Sequence, residues 1–203
     1  MILAKIRLKL TINMCFISNV RNGFLAGIFI GIGCVANVAS NNAILGSFLF
    51  SLALLSICIL RLKLCTGVFG YIENFKNVKD SFIIMLSNIV GVLFFCSLIT
   101  NFSSIDIDTS AIVNNKLNEV WYDALIRGIG CGILIYTAVE CFKQFKNPLV
   151  VIMPVMGFII CGFEHCIANY AYIVLGDVYW TNNMIYWVIG NAIGSLMICK
   201  IEF

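Results

Sequence analysis

A chain of 203 residues that is 61% hydrophobic and 11% charged, with a mean hydropathy of +1.00, falls in the multi-span membrane class and not among soluble globular proteins. Its net charge of +3 is spread along the sequence without a basic run, so nothing points to nucleic acid. Ten cysteines occur without Cys-x-x-Cys or a metal-spaced Cys/His set. Most lie in apolar runs, where thiols pack as small hydrophobes, and neither a disulfide framework nor a metal site or cofactor is expected.

The basic start, MILAKIRLKLTINMCFISNV, has no small-residue cleavage site, so residues 1–22 are expected to be a retained cytoplasmic segment at the membrane interface. A first span is expected from Gly23 to Ser40, where Gly23, Gly27, Gly31 and Gly33 permit close helix contact. The second apolar run covers 43–72 and is interrupted by Arg61, Leu62 and Lys63. Ser81 to Thr100 reads as an uninterrupted third span, followed by a hydrophilic loop over 101–119. A fourth span is expected over 121–139 and a sixth over 178–199.

Between these last two lies PLVVIMPVMGFIICGFEHCIANYAYIVLG, residues 148–176. As one helix its 29 residues would extend roughly 43 Å, beyond the ~30 Å of bilayer hydrocarbon. Glu164 and His165 fall near its middle, where ionisable groups are costly and mark function by default. Backbone that leaves the helix at that depth must line a cavity or be buried in protein.

The interrupted runs are the second and the fifth of six, and the third and sixth share Asn-x-x-Gly at Asn88–Gly91 and Asn191–Gly194. Three helices per half require the halves to insert in opposite senses. The expected fold is therefore an all-α membrane protein with six transmembrane helices in an inverted 3+3 repeat. Residues 23–100 and 121–200 form the halves of one channel domain spanning 1–203, with the site where the broken helices meet. Thr66 and His165 precede the two asparagines by 22 and 26 residues. With both termini inside, Lys5, Arg7, Lys9, Arg21, Lys76, Lys79, Lys143, Lys146 and Lys200 are cytoplasmic. Lys116 and Arg127 then lie outside, beside Asp106, Asp108, Glu119 and Asp177.

The segment GFEHCIAN, 162–169, resembles the Gly-Phe-Glu-His-x-Ile-Ala-Asn signature of the formate/nitrite transporter family. AGIFIGIG at 26–33 is similar to that family's first helix, Leu64-Cys65-Thr66-Gly67 to its Leu-Phe-Thr-Gly break, and the two Asn-x-x-Gly patterns to its third and sixth helices. The resemblance implies a pentameric, aquaporin-like channel in the cytoplasmic membrane for small monovalent anions and their conjugate acids. It implies no enzymatic activity and no cofactor. It places His165 and Thr66 in mid-pore with Asn169 one turn on, Lys116 in an external vestibule, and Leu64, Cys65, Phe158 and Ile135 at the constrictions. The chain departs from the family at Cys65, usually Phe, and at Arg61-Leu62-Lys63, usually Gly-Ala-Asp or Gly-Ala-Glu. It departs again at Gly132, where a polar residue is usual, and at Ser18, where many members have lysine.

A bare anion leaving water for an apolar constriction costs many kcal/mol, so it needs positive potential or a proton. Lys116 can supply the first and an imidazole the second. Whether His165 or bulk water donates stays open, as does the choice among formate, nitrite, hydrosulfide, acetate and lactate. Glu164 is expected to buttress the fold, with it or Glu140 pairing with Lys63 or Arg61. Cys65 is expected to fill space, and Asn88 and Asn191 to join helices. Two other readings remain: a non-conducting relative acting as an assembly partner, and a membrane enzyme or thiol sensor built on His165, Glu164 and Cys166.

Overall fold

The computed structural model describes residues 2–105 and 107–201, with side chains from Met14 onward, so Lys5, Arg7, Lys9 and Asp106 of the charge count have side chains outside the described residues. Helix α1 (Ile2–Ala39) takes in the segment expected to stand apart from the first span. No glycine or proline occurs between Ile2 and Asn22 to stop it.

Helix α2 (Ala43–Ile59) starts at Asn42, whose side chain accepts the Ile44 and Leu45 N–H groups at 3.0 and 2.9 Å. It is followed by α3 (Cys65–Val68), a 3-10 turn at Phe69–Tyr71, and α4 (Phe75–Phe102), capped by Asn74. The expected loop at 101–119 contains a further helix, α5 (Ser110–Asn118). Asp108 begins it by accepting the Ser110 N–H at 2.9 Å, and the Ser110 hydroxyl bond to the same carboxylate holds Asp108 below the usual carboxylate range. Then come α6 (Trp121–Phe145), α7 (Leu149–Ile160), α8 (Cys166–Leu175) and α9 (Asn183–Ile198).

Met14–Ala39, Phe75–Phe102 and Trp121–Phe145 are long and apolar enough to cross a membrane as single helices. Helices α2 and α7 are apolar but only 17 and 12 residues long. At ~1.5 Å per residue they rise ~26 and ~18 Å, short of a full crossing unless α3 and α8 complete them.

The same device ends both short helices. Leu62 N–H donates to Ile57 C=O at 2.9 Å across the left-handed Arg61, and Phe163 N–H donates to Phe158 C=O at 2.8 Å across the left-handed Gly162. These are helix C-caps of the type that favours glycine at the left-handed residue. Arg61, at φ 53°, holds a conformation that costs a side-chain-bearing residue ~1–2 kcal/mol. Arg61→Gly is expected to raise the thermal midpoint in detergent by ~2–4 °C, the shift that ~1 kcal/mol gives a chain this size. An unchanged or lower midpoint would mean the Arg61 side chain contributes more than its backbone strain costs.

Two helix pairs also share one packing rule. Helix α1 lies on α4 and α6 on α9 so closely that a Cβ on Gly27 would sit 2.1 Å from Asn88 O, and one on Gly132 2.3 Å from Asn191 O. Glycine is required there because backbone meets backbone. At Gly132 this leaves no room for a polar side chain.

Candidate functional site

The two extended breaks, 62–64 and 163–165, are fixed by the paired asparagines. Asn88 Oδ1 accepts the Cys65 N–H at 2.9 Å, while its Nδ2 donates to Lys63 O and Gly23 O at 2.9 and 2.8 Å. Asn191 Oδ1 accepts the Cys166 N–H at 2.9 Å, and its Nδ2 donates to Glu164 O and Gly128 O at 2.7 and 2.9 Å. Each asparagine thus satisfies the backbone that a broken helix exposes. These bonds equate Cys65 with Cys166 and Leu64 with His165. The counterpart of His165 is thus Leu64, and Thr66 stands two residues further on.

His165 is the N-cap of α8. Its Nδ1 accepts the Ala168 N–H at 3.0 Å, so Nε2 carries the ring proton and donates to Thr66 Oγ1, also at 3.0 Å. Thr66 O accepts from Ser195 Oγ at 3.3 Å, which ties the first break to α9. The Phe158 ring stacks on the imidazole with centroids 5.9 Å apart, and Phe50 meets Phe158 edge-on at 5.8 Å. Cys65 and Cys166 stand beside this pair with Sγ atoms 3.8 Å apart.

Two cavities approach the breaks without sharing a lining residue. The first, ~240 Å³, is lined by His165, Glu164, Asn169, Lys116, Phe158 and Tyr172 among others. The second, ~650 Å³, is lined by Leu64, apolar side chains and the cations Arg61, Lys63, Lys143 and Lys146. Between them lie Leu64, Cys65, Thr66, His165 and Phe158, each at most 3% exposed. Cys65, Thr66 and Ile135 line neither cavity; Ile135 is packed in the core.

The first cavity holds an ion cluster. Glu164 Oε2 is 2.5 Å from Lys116 Nζ and accepts from Asn169 Nδ2 at 2.5 Å, while Oε1 is 2.9 Å from Arg127 Nη2. Arg127 also reaches Glu119 and Asp123, at 2.7 and 3.3 Å, and donates Nε–H to Gly162 O at 2.7 Å. Glu119, between α5 and α6, has its carboxyl pushed upward by burial and then by the charge of Glu164, against which Trp187 Nε1 donates at 3.0 Å.

This cluster corrects the expected partners of Glu164. It pairs with Lys116 and Arg127, not with Lys63 or Arg61, because Glu164 and Lys63 occupy equivalent positions facing opposite cavities. Lys63 Nζ donates to Asn19 Oδ1, and Asn19 Nδ2 to Asp80 at 3.2 Å. Glu140 bonds Lys143 and Tyr71. Glu164 and His165 both lie in extended backbone. Sequence reasoning passed over Arg127 and Tyr172. An arginine inside an apolar span was itself the signal for the first. Tyr172 Oη, which accepts from Asn37 at 2.6 Å, gave none.

An all-helical protein with spanning helices, two broken apolar helices and a cavity on each side of a layer that holds a buried histidine has the architecture of a membrane channel or transporter. Residues 4–201 match the family described as formate/nitrite transporter, and the chain belongs to that family. The formate channel FocA of Haemophilus influenzae is 29% identical over 155 residues, covering 66% of this chain and 54% of that protein. The formate channel BtFdhC of Bacillus thuringiensis is 26% identical over 208 residues, covering 85% and 80%. Among solved structures, a pentameric formate channel with formate bound superposes with a TM-score of 0.73 at 21% identity over 94% of this chain and 95% of that one. An ion channel of the same family gives 0.77 at 20% identity, over 94% and 96%.

Proposed function

We propose that this protein passes a small monovalent anion of the formate or nitrite kind, with its conjugate acid, through a path inside each protomer. The observation that carries the reading is the His165–Thr66 pair, seated in a dry layer between two cavities that approach it from different sides. The matched caps, asparagine clamps and glycine crossings support two repeats inserted in opposite senses, six spans in all, with α2–α3 and α7–α8 each making one. The lysine and arginine distribution supports a cytoplasmic-membrane protein with both termini inside, which puts the second cavity on the cytoplasmic side. Assembly as a homopentamer follows the relatives.

The two mouths differ in charge. Lys116 lies where a vestibule lysine is expected, but Glu164 offsets it, whereas the second cavity is lined by four cations, of which only Lys143 pairs with a carboxylate, Glu140, among the described residues. Anions are therefore drawn more strongly from the cytoplasmic mouth. In the dry layer a bare charge is prohibitive and the neutral acid is not. As the acid passes, its carbonyl oxygen takes the Nε2–H of His165 in exchange for Thr66 Oγ1, while the Ala168 N–H keeps the ring oriented.

Uptake into proteoliposomes of formate, nitrite, hydrosulfide and acetate across a pH series tests this. Flux should climb as pH falls toward the acid's own pKa, because the neutral fraction grows. His165→Asn keeps an N-capping side chain and removes the ring N–H. It should slow passage about tenfold, the effect of losing ~1.4 kcal/mol of hydrogen bonding at the barrier. Unchanged rate and pH dependence for every anion would remove the histidine from the mechanism.

A further inference from the structure

The two cysteines at the meeting point of the breaks take no part in the hydrogen-bond exchange proposed above. Cys65 and Cys166 are equivalent residues of the two halves, each the first of its half-helix, each with its N–H held by an asparagine. Their Sγ atoms are in contact at 3.8 Å, beside the 3.0 Å bond between Thr66 and His165. Both are buried and both are free thiols. Burial ordinarily makes a thiol inert, because reagents do not reach it. Cys65 adjoins Leu64 in the wall of the second cavity and Cys166 adjoins His165 in the wall of the first, so a small neutral molecule that crosses between the cavities passes both sulfurs.

We propose that Cys65 and Cys166 are an oxidation site, joined by a hydroperoxide into a disulfide that ties the two breaks together and closes the path. One thiol sulfur attacks a peroxide oxygen; the O–O bond breaks, the thiol proton leaves with the departing hydroxide as water, and a sulfenic acid forms. The second thiol attacks that sulfur, the S–O bond breaks, and a second water leaves as the S–S bond forms. Two thiols are oxidised and one hydrogen peroxide is reduced to two waters. Closure of a 3.8 Å gap to a bond of ~2.05 Å requires side-chain rotation and a small approach of the backbones. Leu64, Cys65, His165 and Phe158 leave no open channel between the cavities, so a permeant must part the breaks to cross. A covalent bridge between them opposes that parting.

The flux consequence rests on the pore reading above, but the bond does not, so two readouts separate them. Full-length protein in proteoliposomes is treated with hydrogen peroxide and then dithiothreitol. Peptide mapping by mass spectrometry reads the bridge, and formate or nitrite uptake reads the path. The expected result is a linked peptide pair containing Cys65 and Cys166, a fall in uptake of at least about fivefold, and recovery of both on reduction. Cys65→Ser and Cys166→Ala, each compared with its own untreated rate, should lose most of the peroxide inhibition. Failure to recover the 65–166 bridge overturns the proposal. So does a bridge that leaves uptake unchanged, or inhibition that persists in both variants, which would assign the effect to another thiol such as exposed Cys161. A protein that moves no anion before treatment would count against the pore reading, while the peptide map still decides the bridge.

Discussion

Asn191→Leu should destabilise the protein by ~3–6 kcal/mol, the largest effect expected of any single substitution here. The side chain makes three buried hydrogen bonds: it accepts from Cys166 N and donates to Glu164 O and Gly128 O. Leucine matches its size but leaves the Cys166 donor and the Glu164 acceptor unsatisfied at the break, each worth ~1–3 kcal/mol where water cannot replace the partner, while Gly128 O keeps only its bond within α6. Asn88→Leu removes the equivalent three bonds to Cys65, Lys63 and Gly23 and should cost a similar amount. The loss is read as the thermal midpoint in detergent, with retention of assembled oligomer on size exclusion. A cost below ~1 kcal/mol at either position would mean the breaks are held by something other than these amides.

Glu164→Gln has the next largest expected effect, and a different sign of consequence for transport. It removes the carboxylate that faces both Lys116 and Arg127. Arg127 keeps Glu119 and Asp123, but Lys116, only 11% exposed, is left with the Tyr172 and Trp187 ring faces at 5.9 and 5.6 Å. Stripping one partner from a buried ion pair costs ~3–5 kcal/mol, because the other charge stays desolvated and uncompensated. The same uncompensated charge should lower the anion concentration for half-maximal uptake from the first cavity. Lys116→Met combined with Glu164→Gln should restore much of the lost stability while abolishing that gain in apparent affinity. If the double variant is no more stable than Glu164→Gln alone, the pair is not coupled.

The broken helices were legible because charge inside an apolar run has few physical solutions. Arg61–Lys63 and Glu164–His165 both interrupt spans, and both fall at observed breaks. The repeated Asn-x-x-Gly was legible too, but its purpose was not. Nothing in the sequence says that Asn88 and Asn191 turn inward to hold backbone 23 and 25 residues upstream, which is why setting Thr66 against His165 came out two residues off. Helix α5 escaped notice because its nine residues include one buried apolar side chain, Val113, too few for a periodic signal. It brings Lys116 over Glu164, a contact 48 residues apart in the chain.

By itself the sequence determined that the protein lies in a bilayer, where its helices are interrupted and which family it joins, because burial of apolar length and the GFEHCIAN signature are local properties. The tertiary structure decided which charges compensate one another, which cavity each break faces and that two thiols from different broken helices touch. Those facts depend on residues up to about a hundred positions apart arriving at one place, as Cys65 and Cys166 do at a separation of 101. No local pattern fixes such a meeting; contacts between distant helices do, among them Thr66 with His165, Ser195 with Thr66 and Phe50 with Phe158.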